Sequence, residues 1–92
     1  MEAVRRRLKM YRALDNKHRL RIMLTLAGKS GLSFNELAGE LGLERGLLAY
    51  HLAVLKNASL VELKYERRSK KLTKYYLTEN GIKVLKELGL IR

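Results

Sequence analysis

The chain has 92 residues, and its 20 Lys and Arg face nine Asp and Glu for a formal net charge of +11. Its length allows one small domain with a modest core, which gains stability from a partner subunit. With no cysteine and two histidines, the composition excludes disulfides, thiolate metal sites and cysteine nucleophiles, and gives no reason to expect a metal or cofactor.

The charge excess repels itself unless a polyanion is the usual partner. Nucleic acid leads that reading, an anionic membrane surface comes second, and a merely solvated basic surface is the plain alternative. The excess is clustered. Residues 5–21 hold eight cations and one acid, and residues 64–76 hold six cations and one acid. No run of about 18 apolar residues exists to span a membrane, and the N-terminus lacks the apolar core of a leader, so a cytoplasmic protein is expected. The absence of Cys, Gln and Trp beside abundant Lys, Arg and Glu leans toward a thermophilic source.

The spacing predicts a helix over 2–14, with Val4, Leu8 and Tyr11 on one face and Arg5, Arg6, Lys9 and Arg12 elsewhere. Asp15 is the expected N-cap of a second helix over 16–28, whose inner stripe reads Leu20, Met23, Leu24 and Ala27. Gly28 and Gly31 bracket a turn. Ser33 and Glu36 form a capping box, so a third helix starts at Phe34 and turns Leu37, Ala38 and Leu41 inward. Gly42 ends it. A fourth helix over 45–57 carries the inner stripe Leu48, His51, Leu52 and Leu55.

The period then changes from 3.6 to 2. Val61, Leu63 and Tyr65, then Thr73, Tyr75 and Leu77, predict an antiparallel hairpin across a basic loop at 67–71. Thr78 caps a last helix over 79–90. Its apolar arc of Ile82, Val84, Leu85, Leu88 and Ile91 is wider than one core contact needs. The fold class is therefore mainly α with a small β-hairpin: a winged helix-turn-helix of four helices, a strand, a wing, a strand and a helix. The whole of 1–92 is expected to be one such domain, with its terminal helices used for dimerisation.

This order has a mechanical use. The major groove of B-DNA is about 12 Å wide and admits one helix, here the fourth, by its N-terminal end. The outward residues there are Glu44, Arg45, Gly46, Leu47, Ala49 and Tyr50, with Lys56 farther along. Arg45 can bond guanine or grip phosphate. Ala49 and Leu47 can touch a thymine methyl, Gly46 allows close approach, and Tyr50 can donate to phosphate. Glu44 most simply complements the helix dipole, with acceptance from cytosine as the alternative. Arg67, Arg68, Ser69, Lys70 and Lys71 form the expected wing, on phosphate or in the minor groove. As a plain alternative they only blunt a sheet edge.

Residues 14–79 resemble the ArsR-type winged helix family, with some likeness to MarR-type repressors. The resemblance is carried by the run from Ala13 through Asn16, Lys17, His18 and Arg19 to Ile22, by Glu36-Leu37-Ala38, by 43–55 ending in Tyr50-His51-Leu52-Ala53-Val54-Leu55, by Leu60-Val61, and by Tyr75-Tyr76-Leu77-Thr78-Glu79-Asn80-Gly81. It implies a dimer that regulates transcription, with the first and last helices at the interface and DNA contacts at Arg45, Gly46, Ala49, Tyr50 and the wing. Val4, Leu8 and Tyr11 with Ile82, Leu85, Leu88 and Ile91 are the interface candidates. Metal-sensing members carry a cysteine motif where this chain has Ser33 and Asn35. Ala49 replaces a frequent Ser, and Ser59 replaces a frequent Gly.

His51 reads as a packing histidine, and His18 as a surface residue without a second ligand at metal spacing. Tyr11, Tyr65, Tyr75 and Tyr76 read as packing residues before base-stacking ones. No Ser/His/Asp set, carboxylate pair or phosphate-cradling glycine loop appears, so no catalytic residue and no enzyme activity are expected. The leading expectation is a homodimeric, sequence-specific regulator on double-stranded DNA. The alternatives are a sequence-neutral DNA-coating protein and an RNA-binding winged helix.

Overall fold

Local signals fix the central helix pair. The Ser33 hydroxyl accepts from the Glu36 N–H at 3.1 Å, and the Glu36 carboxylate accepts from the Ser33 N–H at 2.9 Å. This closed box starts α3 (Phe34–Leu41), which stops at Gly42 with φ of 62°, a left-handed conformation that costs glycine nothing. After two intervening residues α4 (Arg45–Asn57) begins.

These elements belong to a computed structural model that describes residues 1–29, 31–65 and 73–92. The remaining elements are α1 (Glu2–Leu14), α2 (Lys17–Gly28), β1 (Leu32–Ser33), β2 (Val61–Tyr65), β3 (Thr73–Leu77) and α5 (Glu79–Glu87). The architecture is the expected winged helix-turn-helix. The wing candidates Arg67, Arg68, Ser69, Lys70 and Lys71 lie outside the described residues.

The sheet holds one strand more than the periodicity predicts. β3 sits between β2 and β1, antiparallel to both. Val61 faces Leu77 and Leu63 faces Tyr75 in the hairpin, while Leu32 faces Tyr75 and Ser33 faces Lys74 on the other edge. Two residues are too few to show a period, so β1 is invisible to pattern alone.

Three expectations are corrected. Asp15 does not cap α2; the Asn16 side chain accepts from the N–H groups of His18 and Arg19 at 2.9 and 3.1 Å. Asn16 is the extended residue there, while Asp15 ends α1. The buried stripe of α2 is Ile22, Met23 and Leu26, one position away from the predicted one. Leu24 is 38% exposed and Ala27 is exposed. The true stripe starts at Arg19, and a cation at its head hides it. α5 stops at Glu87 rather than at 90, because Gly89 turns left-handed at φ of 73° and Leu90 N–H bonds back to the Leu85 carbonyl.

The core joins Ile22 and Met23 of α2, Leu37 of α3, Leu48 and Leu55 of α4, Leu60, Val61 and Leu85 of α5. Each such side chain contributes about 1.5–3 kcal/mol by leaving water. α5 is seated closely: a Cβ on Gly81 would stand 2.4 Å from the Leu60 carbonyl oxygen. Leu85 therefore leaves the dimer-interface set, because its side chain is fully buried within its own chain. Ile91 is half-buried against the same core.

α1 is covered only at its last turn, where Met10, Ala13 and Leu14 are buried. Residues 1–9 are exposed, including Val4 and Leu8 at 53% and 46%. Arg7 ties this helix to α5 by an ion pair with Glu87, and it donates to the Tyr11 hydroxyl at 3.0 Å.

Candidate nucleic-acid interface

α4 turns Leu48, His51, Leu52 and Leu55 into the core, as its period predicts. That packing leaves Glu44, Arg45, Gly46, Leu47, Ala49 and Tyr50 exposed together at its N-terminal end. Tyr50 is 59% exposed. Glu44 is the N-cap: its carboxylate accepts from the Gly46 and Leu47 N–H groups at 2.9 and 3.0 Å. Those bonds hold its pKa below the ordinary carboxylate value. Gly46 lies against this cap, since a Cβ there would stand 3.1 Å from a Glu44 oxygen.

Arg45 is anchored rather than free. One guanidinium nitrogen donates to Asn35 Oδ1 at 2.6 Å, and the group lies 4.9 Å from the centre of the Phe34 ring. Both partners come from the start of α3. Sequence reasoning missed them, because a contact across the turn leaves no periodic trace. The anchor fixes the guanidinium while its other N–H donors remain for a ligand.

Farther along α4, exposed Lys56 and Ala49 line a cleft of about 200 Å³ with Phe34, Leu63 and Tyr75. This cleft runs from the exposed face of α4 toward β2 and β3. Tyr75 is half-buried there, and burial raises its hydroxyl pKa. Tyr76 covers Gly31 and carries the Lys64 ammonium 5.0 Å from its ring centre. Tyr65, by contrast, is 66% exposed at the end of β2.

On the inward face of α4, His51 is buried as expected. Its Nδ1 lies 3.1 Å from an Arg19 nitrogen, and its ring sits 5.4 Å from that of His18. Burial, then Arg19, then His18 lower its pKa, which keeps the imidazole neutral. His18 is not the plain surface residue expected: it is half-buried, and its Nδ1 is buried without a hydrogen-bond partner. Among the described residues no cluster of three or more metal-ligating side chains occurs, and no helix is long and apolar enough to cross a membrane.

Helix, turn, exposed second helix and hairpin together define a winged helix-turn-helix protein. The chain belongs to a known family: a model described as "Helix-turn-helix domain" matches residues 14–64, and an ArsR-type placement fits its solved neighbours. It resembles reduced HlyU from Vibrio cholerae at 29% identity, with a TM-score of 0.77, covering 95% of this chain and 87% of that one. The transcriptional regulator HlyU from Vibrio vulnificus is 28% identical with a TM-score of 0.75, over 96% and 88% of the two chains. A homodimeric winged helix-turn-helix DNA-binding domain from Mycobacterium bovis, described as a possible ArsR-family transcriptional regulator, shares the fold with a TM-score of 0.83 at 21% identity, over 97% and 80%. Among curated proteins none matches the chain.

Proposed function

We propose that residues 1–92 act as one DNA-binding domain that dimerises through its terminal helices and regulates transcription at specific double-stranded sites. The N-terminal end of α4 enters the major groove. Arg45 reads a base or grips phosphate, Leu47 and Ala49 present apolar surface to thymine, and Tyr50 donates to the backbone. Glu44 holds the end of the helix in shape. The wing at 67–71 lies on the backbone or in the minor groove. Binding carries the function, with no catalysis and no cofactor.

The observation that carries this reading is the anchored Arg45 guanidinium at the exposed, capped end of α4. A long cationic side chain held before binding loses less freedom on meeting DNA. Dimerisation is supported by the uncovered apolar residues Val4 and Leu8 on α1 and Ile82 and Leu88 on and just past α5, two helices joined by the Arg7–Glu87 pair. Half-sites then lie about one helical turn apart, or a multiple of it, on one face of the duplex. Footprinting on genomic DNA followed by competition with random duplex tests the reading. Short paired footprints are expected. Equal affinity for every duplex would overturn it in favour of sequence-neutral coating, and preference for structured RNA would overturn it outright.

A further inference from the structure

Arg19 heads the inward stripe of α2 and is half-buried. Its Nε donates to the Ala13 carbonyl at 2.6 Å, and its Nη1 meets His51 Nδ1 at 3.1 Å. Both partners are neutral, and among the described residues no carboxylate pairs with it. Partly buried guanidinium groups are ordinarily compensated by an anion. Here the charge is fixed in place, uncompensated, and has N–H donors to spare.

Arg19 lies in a trough. A concavity of about 420 Å³ is lined by Lys9, Arg12, Arg19, Val54 and Asn57. A second, of about 330 Å³, is lined by Arg5, Arg6, Lys9, Asn57 and Ser59, with Glu2 as its one acid. They share Lys9 and Asn57 and so run together between α1 and the C-terminal end of α4. The charge on α1 is sorted by face. Arg5, Lys9 and Arg12 recur at i, i+4 and i+7 along the trough, whereas Arg7 turns to α5 and is paired.

The row from Arg5 to Arg12 spans about 10 Å at 1.5 Å per residue. A lone ion calls for convergent donors; a row calls for a polymer with repeated charge. A DNA strand presents one phosphate per 3.4 Å or so along its axis. A lipid surface fits less well, because the trough is concave and the exposed apolar residues of α1 lie on another face. Along α4, Val54 and Asn57 of the trough lie nine and twelve residues beyond Arg45, about 14 and 18 Å at the same rise, so the trough and Arg45 cannot grip the same base step.

We propose that this trough is a second nucleic-acid site, seating the sugar–phosphate backbone of double-stranded DNA that flanks the segment held by the N-terminal end of α4. It rests on the duplex-DNA reading above but not on sequence specificity.

The test is the salt dependence of affinity for a long duplex of random sequence. It compares the unaltered chain, the Lys9→Ala/Arg12→Ala variant and a charge-matched Lys83→Ala/Lys86→Ala variant on α5. All four side chains are exposed, and circular dichroism melts check that both variants fold. The α1 variant flattens the slope of log affinity against log salt by about two units per protomer, at roughly 0.9 per lost phosphate contact, while the α5 variant leaves it unchanged. An unchanged slope in the α1 variant overturns the proposal, and so does equal flattening in the α5 variant, which net charge alone explains. Loss of binding to phosphatidylserine vesicles with the DNA slope unchanged also overturns it, in favour of a lipid surface. Failure of the unaltered chain to bind any duplex overturns the functional reading itself, a result distinct from these.

Discussion

α1 and α4 are both 13 residues long, yet they spend their surfaces differently. α4 buries one complete stripe and exposes small, polar and cationic residues at a capped end. α1 buries only its last turn and leaves Val4 and Leu8 in solvent. An isolated helix of that length is marginal in water; the uncovered turns of α1 are those that the proposed dimer would cover, whereas α4 packs against its own chain. Exposure on α4 points to a charged ligand; apolar exposure on α1 points to a protein surface.

The sharpest way to break that contrast is to charge the apolar face of α1. Val4→Glu/Leu8→Glu is expected to convert the dimer to monomer by light scattering at tens of micromolar and to abolish paired footprints, while the fold persists. A dimer that survives sinks the interface. On α4, Arg45→Ala is expected to weaken a preferred duplex by about 1–3 kcal/mol, tenfold to a hundredfold, and random duplex far less. Gly81→Ala tests the seat of α5, since its Cβ meets backbone that has no room to yield. It should cost roughly 1–3 kcal/mol in urea unfolding, as overpacking does.

A pH titration of stability separates the buried middle of α4 from the capped helix starts of α3 and α4. The folded His51 pKa is depressed, so the unfolded ring takes a proton first, and stability is lost as pH falls below the ordinary value of 6.5. Glu36 and Glu44 are also depressed, and their contribution, present above 4.5, is lost only below it. Two successive declines are expected; a single decline below 4.5 would show that His51 is not buried neutral. The smallest effect falls on Ser59, a non-glycine residue at φ of 62°. Ser59→Gly should stabilise by about 1 kcal/mol, by relieving left-handed strain.

What the sequence disclosed follows the strength of local chemistry. α3 and the start of α4 were legible to the residue, because a capping box and Gly42 punctuate them. The stripe of α2 lies one position from its apolar pattern, because Arg19 occupies an inward site where pattern expects an apolar residue. Asp15 and Asn16 are both capping types, and only backbone conformation chooses Asn16. The exposed end of α4 was legible from its helical period, but the Asn35 and Phe34 anchor of Arg45 is a tertiary contact and was not. The burial of Leu85 was missed for the same reason: an apolar arc does not say which edge faces its own core.

Ser33 holds two positions at once. It is the last residue of β1, opposite Lys74 on β3, and it is the N-cap of α3. The strand that pairs with β3 therefore ends on the residue that starts the helix anchoring Arg45. No loop separates β1 from α3, so the edge of the sheet and the helix that holds the Arg45 guanidinium have no hinge between them.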